Sequence, residues 1–354
     1  MKLVDITMEM VLNKVSLIIK KQRGNELNCL CPFCDSTNKR EGHLYINIHK
    51  NTFICHKCGE KGNALQLYAL LTFQDTKEAY KELTKDNFSI SEVKNIYKSA
   101  ITKEKAIATD EQRDKVYSEL LNMLTLKDRH KQDLLKRGLS NIVVKNNQYK
   151  SFDLSKTERI EVCKKLLEKG LNLEGIPGFF KHKTTGEWDF ISYKGYAIPV
   201  KNLQGQIVGL QVRMEEGQDS KYRWFSSSSA GEYGTSAESR LHISGILGIY
   251  SDEIYITEGA LKADVASYLS GKTFIGLAGV SSNHYELIKV LQKLKPKKVY
   301  LTFDMDLYSK KEVKENIMKI ANLLKNVNVN FKILKWDRRY KGIDDYLLSR
   351  KRAS

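Results

Sequence analysis

The 354-residue sequence has no run of about eighteen apolar residues, so no segment reads as a transmembrane helix. Its first residues, MKLVDITMEMVLNKVSLIIKKQRG, interrupt each apolar stretch with charge and offer no small-residue cleavage site. That argues against a signal peptide and for a chain that stays in the cytoplasm. No repeat of twenty to fifty residues is present, which excludes a solenoid or propeller. Acidic residues are in short supply: 42 Asp and Glu face 59 Lys and Arg, a formal net charge of +17. A surface of that sign suits a polyanionic partner, whose counterions it would release, although much lysine on helical faces is simply solvated. Cysteine is scarce outside one cluster, since five of the six lie between positions 29 and 58. Such clustering in a cytoplasmic chain points to metal rather than disulfides.

The length implies two or three domains. The cysteine segment ends in helical runs, GNALQLYALLTF and TKEAYKEL, and a charged stretch poor in large apolar residues follows it as a partly helical linker. Apolar residues then recur at helical spacing (Val116, Leu120, Leu121, Leu124, Leu134, Leu135) up to Gly138, and a second helix is expected over 156–169 before Gly170. GYAIPVKN and IVGLQVRM, joined through LQGQ, read as a β-hairpin. From 253 onward strands and helices alternate: EIYIT, a helix over 260–270, TFIGL, a helix over 284–294, VYLTF, a helix over 310–325, VNFKIL. That alternation is the mark of βαβ units and a largely parallel sheet.

Cys31-Pro-Phe-Cys34 and Cys55-His-Lys-Cys58 are two C-x2-C knuckles twenty residues apart. Four thiolates so arranged form the closed tetrahedral shell of structural zinc. HLYINIHKNTFICHKC alternates around His-Lys-Asn-Thr, so a hairpin would bring the knuckles together. Metal binding, on the order of 10–16 kcal/mol in small zinc modules, would supply the fold. Cys29 competes with Cys31 for a ligand position; His43, His49 and His56 are substitute ligands or surface residues; Cys163 reads as core.

Three groups of acids sit at strand ends. Glu258 follows EIYIT, Asp304 and Asp306 follow VYLTF, and Asp344 and Asp345 follow VNFKIL and the turn KWDRRYKGI. In open parallel sheets ligands bind beyond the carboxyl ends of the strands, where these acids would converge. Two carboxylates about 4 Å apart repel by about 4 kcal/mol at an effective dielectric of 20, so oxygen-only clusters usually hold Mg²⁺ or Mn²⁺. Two such ions can activate a 3′-hydroxyl and neutralise a departing pyrophosphate. Any one acid alone would serve equally as a helix cap; the three groups together, in a basic chain, favour metal.

At these residues the chain resembles the DnaG-type primases of bacteria, phages and mobile elements. CPFC…CHKCGEKGNALQL is similar to that family's CHC2-like zinc-binding domain, with Cys34 where bacterial enzymes usually carry His. LLKRGLS resembles the lead into the polymerase domain. GYAIPVKNLQGQIVGLQVRM with KYRWF resembles the basic subdomain, and EIYITEGALKADVASYL, LAGV and VYLTFDMD resemble the toprim fold. The resemblance implies a multidomain α+β chain: a zinc-ribbon-like β domain that recognises template (1–85), a linker (86–110), the helical and basic α/β N-terminal part of an RNA polymerase domain (111–250), and a toprim, Rossmann-like parallel-sheet catalytic domain (251–354). It implies zinc on Cys31, Cys34, Cys55 and Cys58, and catalytic Mg²⁺ or Mn²⁺ on Glu258, Asp304 and Asp306, completed by Asp344 or Asp345. Arg213, Lys221 and Arg223 would contact template backbone or nucleotide. Lys262 stands where the family usually has Asp, with Asp264 two residues on, and there it would neutralise triphosphate or reduce the number of ions. The implied activity is synthesis of short RNA primers from NTPs on single-stranded DNA, with the RNA–DNA duplex as product. The chain leaves no room for a helicase-binding domain and has no P-loop, so a replicative helicase, where one acts, would be a separate chain, as in a phage-like or mobile-element primase. Two other readings use the same motifs: a nucleic-acid-binding module without synthesis, and a toprim nuclease.

Overall fold

A computed structural model describes residues 5–15, 17–33, 42–57, 59–72, 74, 76–84, 107–218, 220–245, 252–279, 284–305, 317, 318, 320, 321, 324, 325 and 329–353. Cys34, Cys58, Asp306, almost all of the expected linker and most of the helix expected over 310–325 lie outside the described residues. The chain divides into two compact units, 1–104 and 105–354.

The first unit opens with α1 (Met8–Lys14), capped by Thr7, whose hydroxyl accepts from the Met10 N–H at 3.3 Å. Five strands follow, β1 (Ile19–Arg23), β2 (Glu26–Cys29), β3 (Leu44–Asn47), β4 (Thr52–Cys55) and β5 (Lys61–Asn63), as an antiparallel meander in chain order. The hairpin expected from HLYINIHKNTFICHKC is β3–β4, with Leu44 opposite Cys55 and Asn47 opposite Thr52. Alternation puts Leu27, Cys29, Leu44, Ile46, Phe53 and Cys55 on the buried face. Two helices, α2 (Ala64–Thr72) and α3 (Thr76–Leu83), complete the unit. Asn63 and Gln66 cap the start of α2 reciprocally, each side chain accepting the other's backbone N–H, at 2.8 and 3.0 Å.

In the second unit α4 (Asp110–Met123) begins at a Thr109/Gln112 capping box. It is followed by α5 (Asp128–Lys136), α6 (Asn141–Asn146), strand β6 (Lys150–Ser151) and α7 (Lys156–Glu168). A small hairpin, β7 (Phe179–Lys181) with β8 (Trp188–Phe190), precedes β9 (Gly195–Lys201), β10 (Ile207–Met214) and β11 (Tyr222–Trp224). These form an antiparallel sheet in the order β11-β10-β9-β6. The hairpin expected over 195–214 is β9–β10. Both faces of this sheet are covered, which is why its strands read as nearly continuous apolar runs. One face packs Ala197, Leu210 and Val212 against Val116, Tyr117 and Leu120 of α4 and Cys163 of α7. The other packs Tyr196, Ile198 and Val208 against Leu134, Tyr149, Leu261 and Val265.

Leu261 and Val265 belong to the second sheet's layer. This comprises β12 (His242–Ser244), β13 (Glu253–Glu258), α8 (Ala260–Ser270), β14 (Thr273–Leu277), α9 (His284–Leu294), β15 (Lys298–Leu301), β16 (Phe331–Ile333) and α10 (Ile343–Ala353). The strand order is β12-β14-β13-β15-β16; β13 to β16 are parallel and β12 is an antiparallel edge. The alternation read from 253 onward is this sheet. The boundary expected at 250/251 falls between β12 and β13, two strands of this same sheet, inside one compact unit.

Candidate active site in the second unit

A cleft of about 570 Å³ opens where the carboxyl ends of β13 and β15 face the outer strands of the basic sheet. Glu258 closes β13, opposite Leu277. The next residue turns the chain into α8 with φ +87°, a left-handed conformation that glycine adopts without strain, and its N–H donates to the Leu277 carbonyl at 2.6 Å. Asp304 hangs from a pinned loop: the Thr302 N–H and hydroxyl both donate to the Ile256 carbonyl at 2.8 Å, and the Met305 N–H donates to Lys341 at 2.9 Å. Asp344 and Asp345 occupy the first turn of α10.

These two acids have different surroundings. Asp345 acts as a cap, its Oδ2 accepting from the Gly342 N–H at 3.1 Å. Asp344 is only 7% exposed, and its Oδ1 has no hydrogen-bond partner. Burial raises its carboxyl above the ordinary range; Lys262 and Arg137 oppose that and the Asp345 charge adds to it. A Cβ on Gly342 would collide with that Oδ1 and lie 3.1 Å from Cε of Lys262, so a larger residue at 342 would push the Asp344 carboxylate aside.

Lys262, from the first turn of α8, contacts Oδ1 of Asp304 directly. Both side chains are largely shielded, at 17% and 16% exposure. Asp264, two residues on, faces away from the cleft. It is buried, and accepts from Tyr149 at 2.6 Å, Ser244 at 2.8 Å and His242 Nε2 at 2.8 Å. His242 Nδ1 accepts the Lys201 N–H at 3.1 Å, which puts the ring proton on Nε2.

The opposite wall is cationic. Arg137, Lys221 and Tyr222 line it, with Lys341 beside the acids. Arg213 lies just behind, its Nε donating to Asp133 at 3.0 Å and its Nη1 to the Tyr222 hydroxyl at 3.1 Å, with the guanidinium 5.6 Å from the Tyr222 ring centre. Asp133 also accepts from Tyr196 at 2.7 Å and Arg137 at 3.3 Å. Burial opposes its ionisation, but these donors outweigh that and hold its carboxyl below the ordinary range. Solvent reaches Lys221, yet partial desolvation and then the charges of Arg213, Arg137, Lys341 and Lys262 push its ammonium below the usual lysine range. Those five cations therefore converge on one space. Arg223 is not in it: the register pairs it with Val212, one residue off the Tyr222–Arg213 pair, so it is exposed away from the cleft lining.

Of the expected residues, Glu258, Asp304, Asp344, Asp345, Lys262 and Lys221 thus share one cleft. Arg137 and Lys341 also line it and were not expected; Arg137 reads in sequence only as a charged position on a helix. Oxygen donors and the unpartnered Asp344 oxygen suit a hard divalent cation. Among the described residues, no three His, Cys, Asp or Glu are gathered closely enough to hold one, and Lys262 already occupies Asp304.

In the first unit, Cys29, Leu44 and Cys55 stand in one row of the sheet, all buried. Two strand spacings, about 10 Å, separate Cys29 from Cys55. Cys31, also buried, lies beyond the end of β2. After Cys55 the chain folds back, with Cys55 N–H donating to Glu60 at 2.7 Å and Gly59 N–H to Cys55 at 2.9 Å. Burial pushes the Cys29 thiol up to about 11, as suits a core residue. His49 and His56 are exposed, His56 edge-on to Tyr45 at 5.1 Å.

Residues 2–98 match the family model of the CHC2 zinc finger, which implies structural zinc. Residues 249–353 match a family described as a domain of unknown function, DUF3854. No curated protein matches the sequence. Among solved structures, the zinc-binding and RNA polymerase domains of the Aquifex aeolicus primase superpose over 98% of this chain and 80% of theirs, with a TM-score of 0.52 and 16% identity. The likeness is one of fold. The RNA polymerase domain of Mycobacterium tuberculosis primase DnaG aligns over 68% of this chain and 82% of its own at a TM-score of 0.48 and 12% identity. A DnaG primase catalytic domain bound to single-stranded DNA aligns over 69% and 77%, at 0.47 and 12%. Among the described residues no helix is long and apolar enough to cross a membrane.

Proposed function

We propose that this protein is a DNA primase, joining NTPs into short RNA primers on a single-stranded DNA template. The observation that carries the reading is the cleft, in which Glu258, Asp304, Asp344 and Asp345 face Arg137, Lys221 and Tyr222. The whole-chain likeness in fold to primase zinc-binding and RNA polymerase domains supports it.

The reaction joins the 3′-oxygen of one nucleotide to the α-phosphorus of the next and breaks the bond to pyrophosphate. Glu258, Asp304 and Asp306, with Asp344 or Asp345, would hold Mg²⁺ or Mn²⁺, which supplies Lewis-acid polarisation and an activated hydroxyl when bound. Arg137, Lys221, Lys262 and Lys341 neutralise the triphosphate and hold it against the acids. Tyr222, 38% exposed beneath the Arg213 guanidinium, offers a face on which a base stacks. Arg213 contacts template backbone or nucleotide alongside Lys221. Arg223, away from the lining, is left with the template backbone outside the cleft. Zinc on Cys31, Cys34, Cys55 and Cys58 folds the first unit, which engages template. The residues from 251 onward act as a toprim catalytic module.

Purified protein is given single-stranded DNA, four NTPs with one labelled, and Mg²⁺ or Mn²⁺. Short labelled RNA is expected from wild type and not from an Asp304→Asn, Asp306→Asn double variant. No product on varied templates with either metal overturns the reading. Lys262 on Asp304 favours a second reading, nucleic-acid binding without synthesis, which predicts that the double variant keeps full function.

A further inference from the structure

We propose that Gln211 holds the 2′-hydroxyl of the bound nucleotide, so that the cleft selects ribonucleotides over deoxyribonucleotides. The inference rests on reading the cleft as a nucleotidyl-transfer site, and it names the sugar that the site takes.

Gln211 lies on β10, two residues and about 7 Å along the strand from Arg213, on the same face of the sheet. Its cross-strand partners are Ile198 and Trp224, and both belong to the apolar layer that includes Leu261. An apolar side chain would suit this position. The sequence instead places an amide there, only 6% exposed, which lines the cleft and makes no hydrogen bond among the described residues. Neither its oxygen nor its nitrogen is sealed from solvent, so the amide meets the cleft from an otherwise apolar floor. A polar group in such surroundings weakens the fold unless a partner satisfies it, and the partner here is a ligand. Two parts of a nucleotide already have groups of fitting chemistry: the phosphates have the cations of the cleft, and the base has the Tyr222 ring. The sugar has none. Templated synthesis must accept all four bases, so a fixed side chain cannot read base edges, whereas the sugar is common to all of them. A hydroxyl both donates and accepts, and a carboxamide can meet it in either sense. The 3′-hydroxyl is present in both sugar classes, so holding it selects nothing; the 2′-hydroxyl alone separates them. A ribonucleotide pairs the amide. A deoxyribonucleotide shuts it off from solvent and leaves it unpaired, which is how a site rejects an analogue lacking one hydroxyl.

The full chain, loaded with zinc and with Mg²⁺ present, is titrated with ATP, 2′-deoxy-ATP and 3′-deoxy-ATP by isothermal titration calorimetry. Wild type is expected to bind ATP and 3′-deoxy-ATP alike, and 2′-deoxy-ATP roughly ten- to a hundredfold more weakly. Gln211→Leu is expected to bring ATP and 2′-deoxy-ATP within about threefold of each other, mainly by weakening ATP. Far-ultraviolet circular dichroism checks that the variant is folded, and the wild-type comparison tests the inference without it. Equal binding of ATP and 2′-deoxy-ATP by wild type, a 3′-deoxy loss as large as the 2′-deoxy loss, no binding of any of the three, or an unchanged preference in folded Gln211→Leu would overturn the inference. Priming is assayed on the same samples. The expected binding pattern without primer synthesis leaves the inference standing and removes the primase reading; synthesis with an unchanged preference in Gln211→Leu does the reverse.

Discussion

Asp264 lies on the same helix as Lys262 but is expected to act on stability rather than on the cleft. Its carboxylate accepts from Tyr149, from Ser244 on the edge strand and from His242, joining α8 to the residue before β6 and to β12. Asp264→Ala strands three buried donors. Each unsatisfied buried group costs about 1–3 kcal/mol, and breaking a buried charged network about 3–5, so a loss of about 4–6 kcal/mol is expected. Asp264→Asn keeps the shape but loses the charge and turns one donor against another, for about 2–4 kcal/mol. Tyr149→Phe removes one donor and leaves the carboxylate two others, for about 1–2 kcal/mol. The three tryptophans, Trp188, Trp224 and Trp336, all lie in the second unit, so their fluorescence in urea reports its unfolding without interference from the zinc unit. Burial opposes ionisation of Asp264, but its donors prevail and hold it below the ordinary 3.8. The carboxylate's contribution is therefore complete above that value and is lost as pH falls through the lower folded value, so wild type and Asp264→Asn should converge below about pH 4. An Asp264→Ala protein within about 1 kcal/mol of wild type, or a Tyr149→Phe more costly than Asp264→Ala, would refute the network.

Cys31→Ser and Cys55→Ser should abolish stoichiometric zinc, measured by atomic emission, whereas Cys29→Ala should retain one zinc per chain because its side chain packs in the sheet core. Chelation should melt the first unit by circular dichroism and leave tryptophan fluorescence unchanged. In the priming assay, Arg137→Ala and Lys221→Ala should each raise the NTP KM roughly ten- to a hundredfold, about 1.5–3 kcal/mol for a charge-assisted contact, while Arg223→Ala should stay within about twofold; equal effects at all three would contradict the cleft assignment. Gly342→Ala should displace the Asp344 carboxylate and lower primer synthesis without unfolding the second unit, and full synthesis in that folded variant would tell against a role for Asp344 in the cleft.

What could be read in the sequence follows from how local each signal is. The parallel strands announced themselves because each is a short apolar run between helical periods, and the acids at their ends follow from chain order alone. The β9–β10 and β3–β4 hairpins were equally visible, since both carry their turns with them. The rest of the zinc unit's sheet was not, because β1 is exposed at every position and β5 is KGN, with no apolar alternation to detect. Nor was β12, three residues long and recognisable only through its pairing with β14.

The misses in the cleft have a physical cause: they depend on contacts between elements far apart in the chain. Asp133 and Arg137 are four apart on a helix and read as an ordinary surface pair. Only the approach of β9 and β10 turns Asp133 into the anchor of Tyr196 and Arg213 and leaves Arg137 lining the cleft. Lys262 and Asp264 pose the same problem. Two residues apart on a helix they point in nearly opposite directions, so one had to face the acids and the other the packed interior. Periodicity supplies that constraint but not the choice, which the apolar neighbours Leu261 and Val265 make by burying themselves against the basic sheet. With that face fixed, the lysine meets Asp304 and the aspartate meets Tyr149, so the charge of the cleft is set by which side of α8 is greasy.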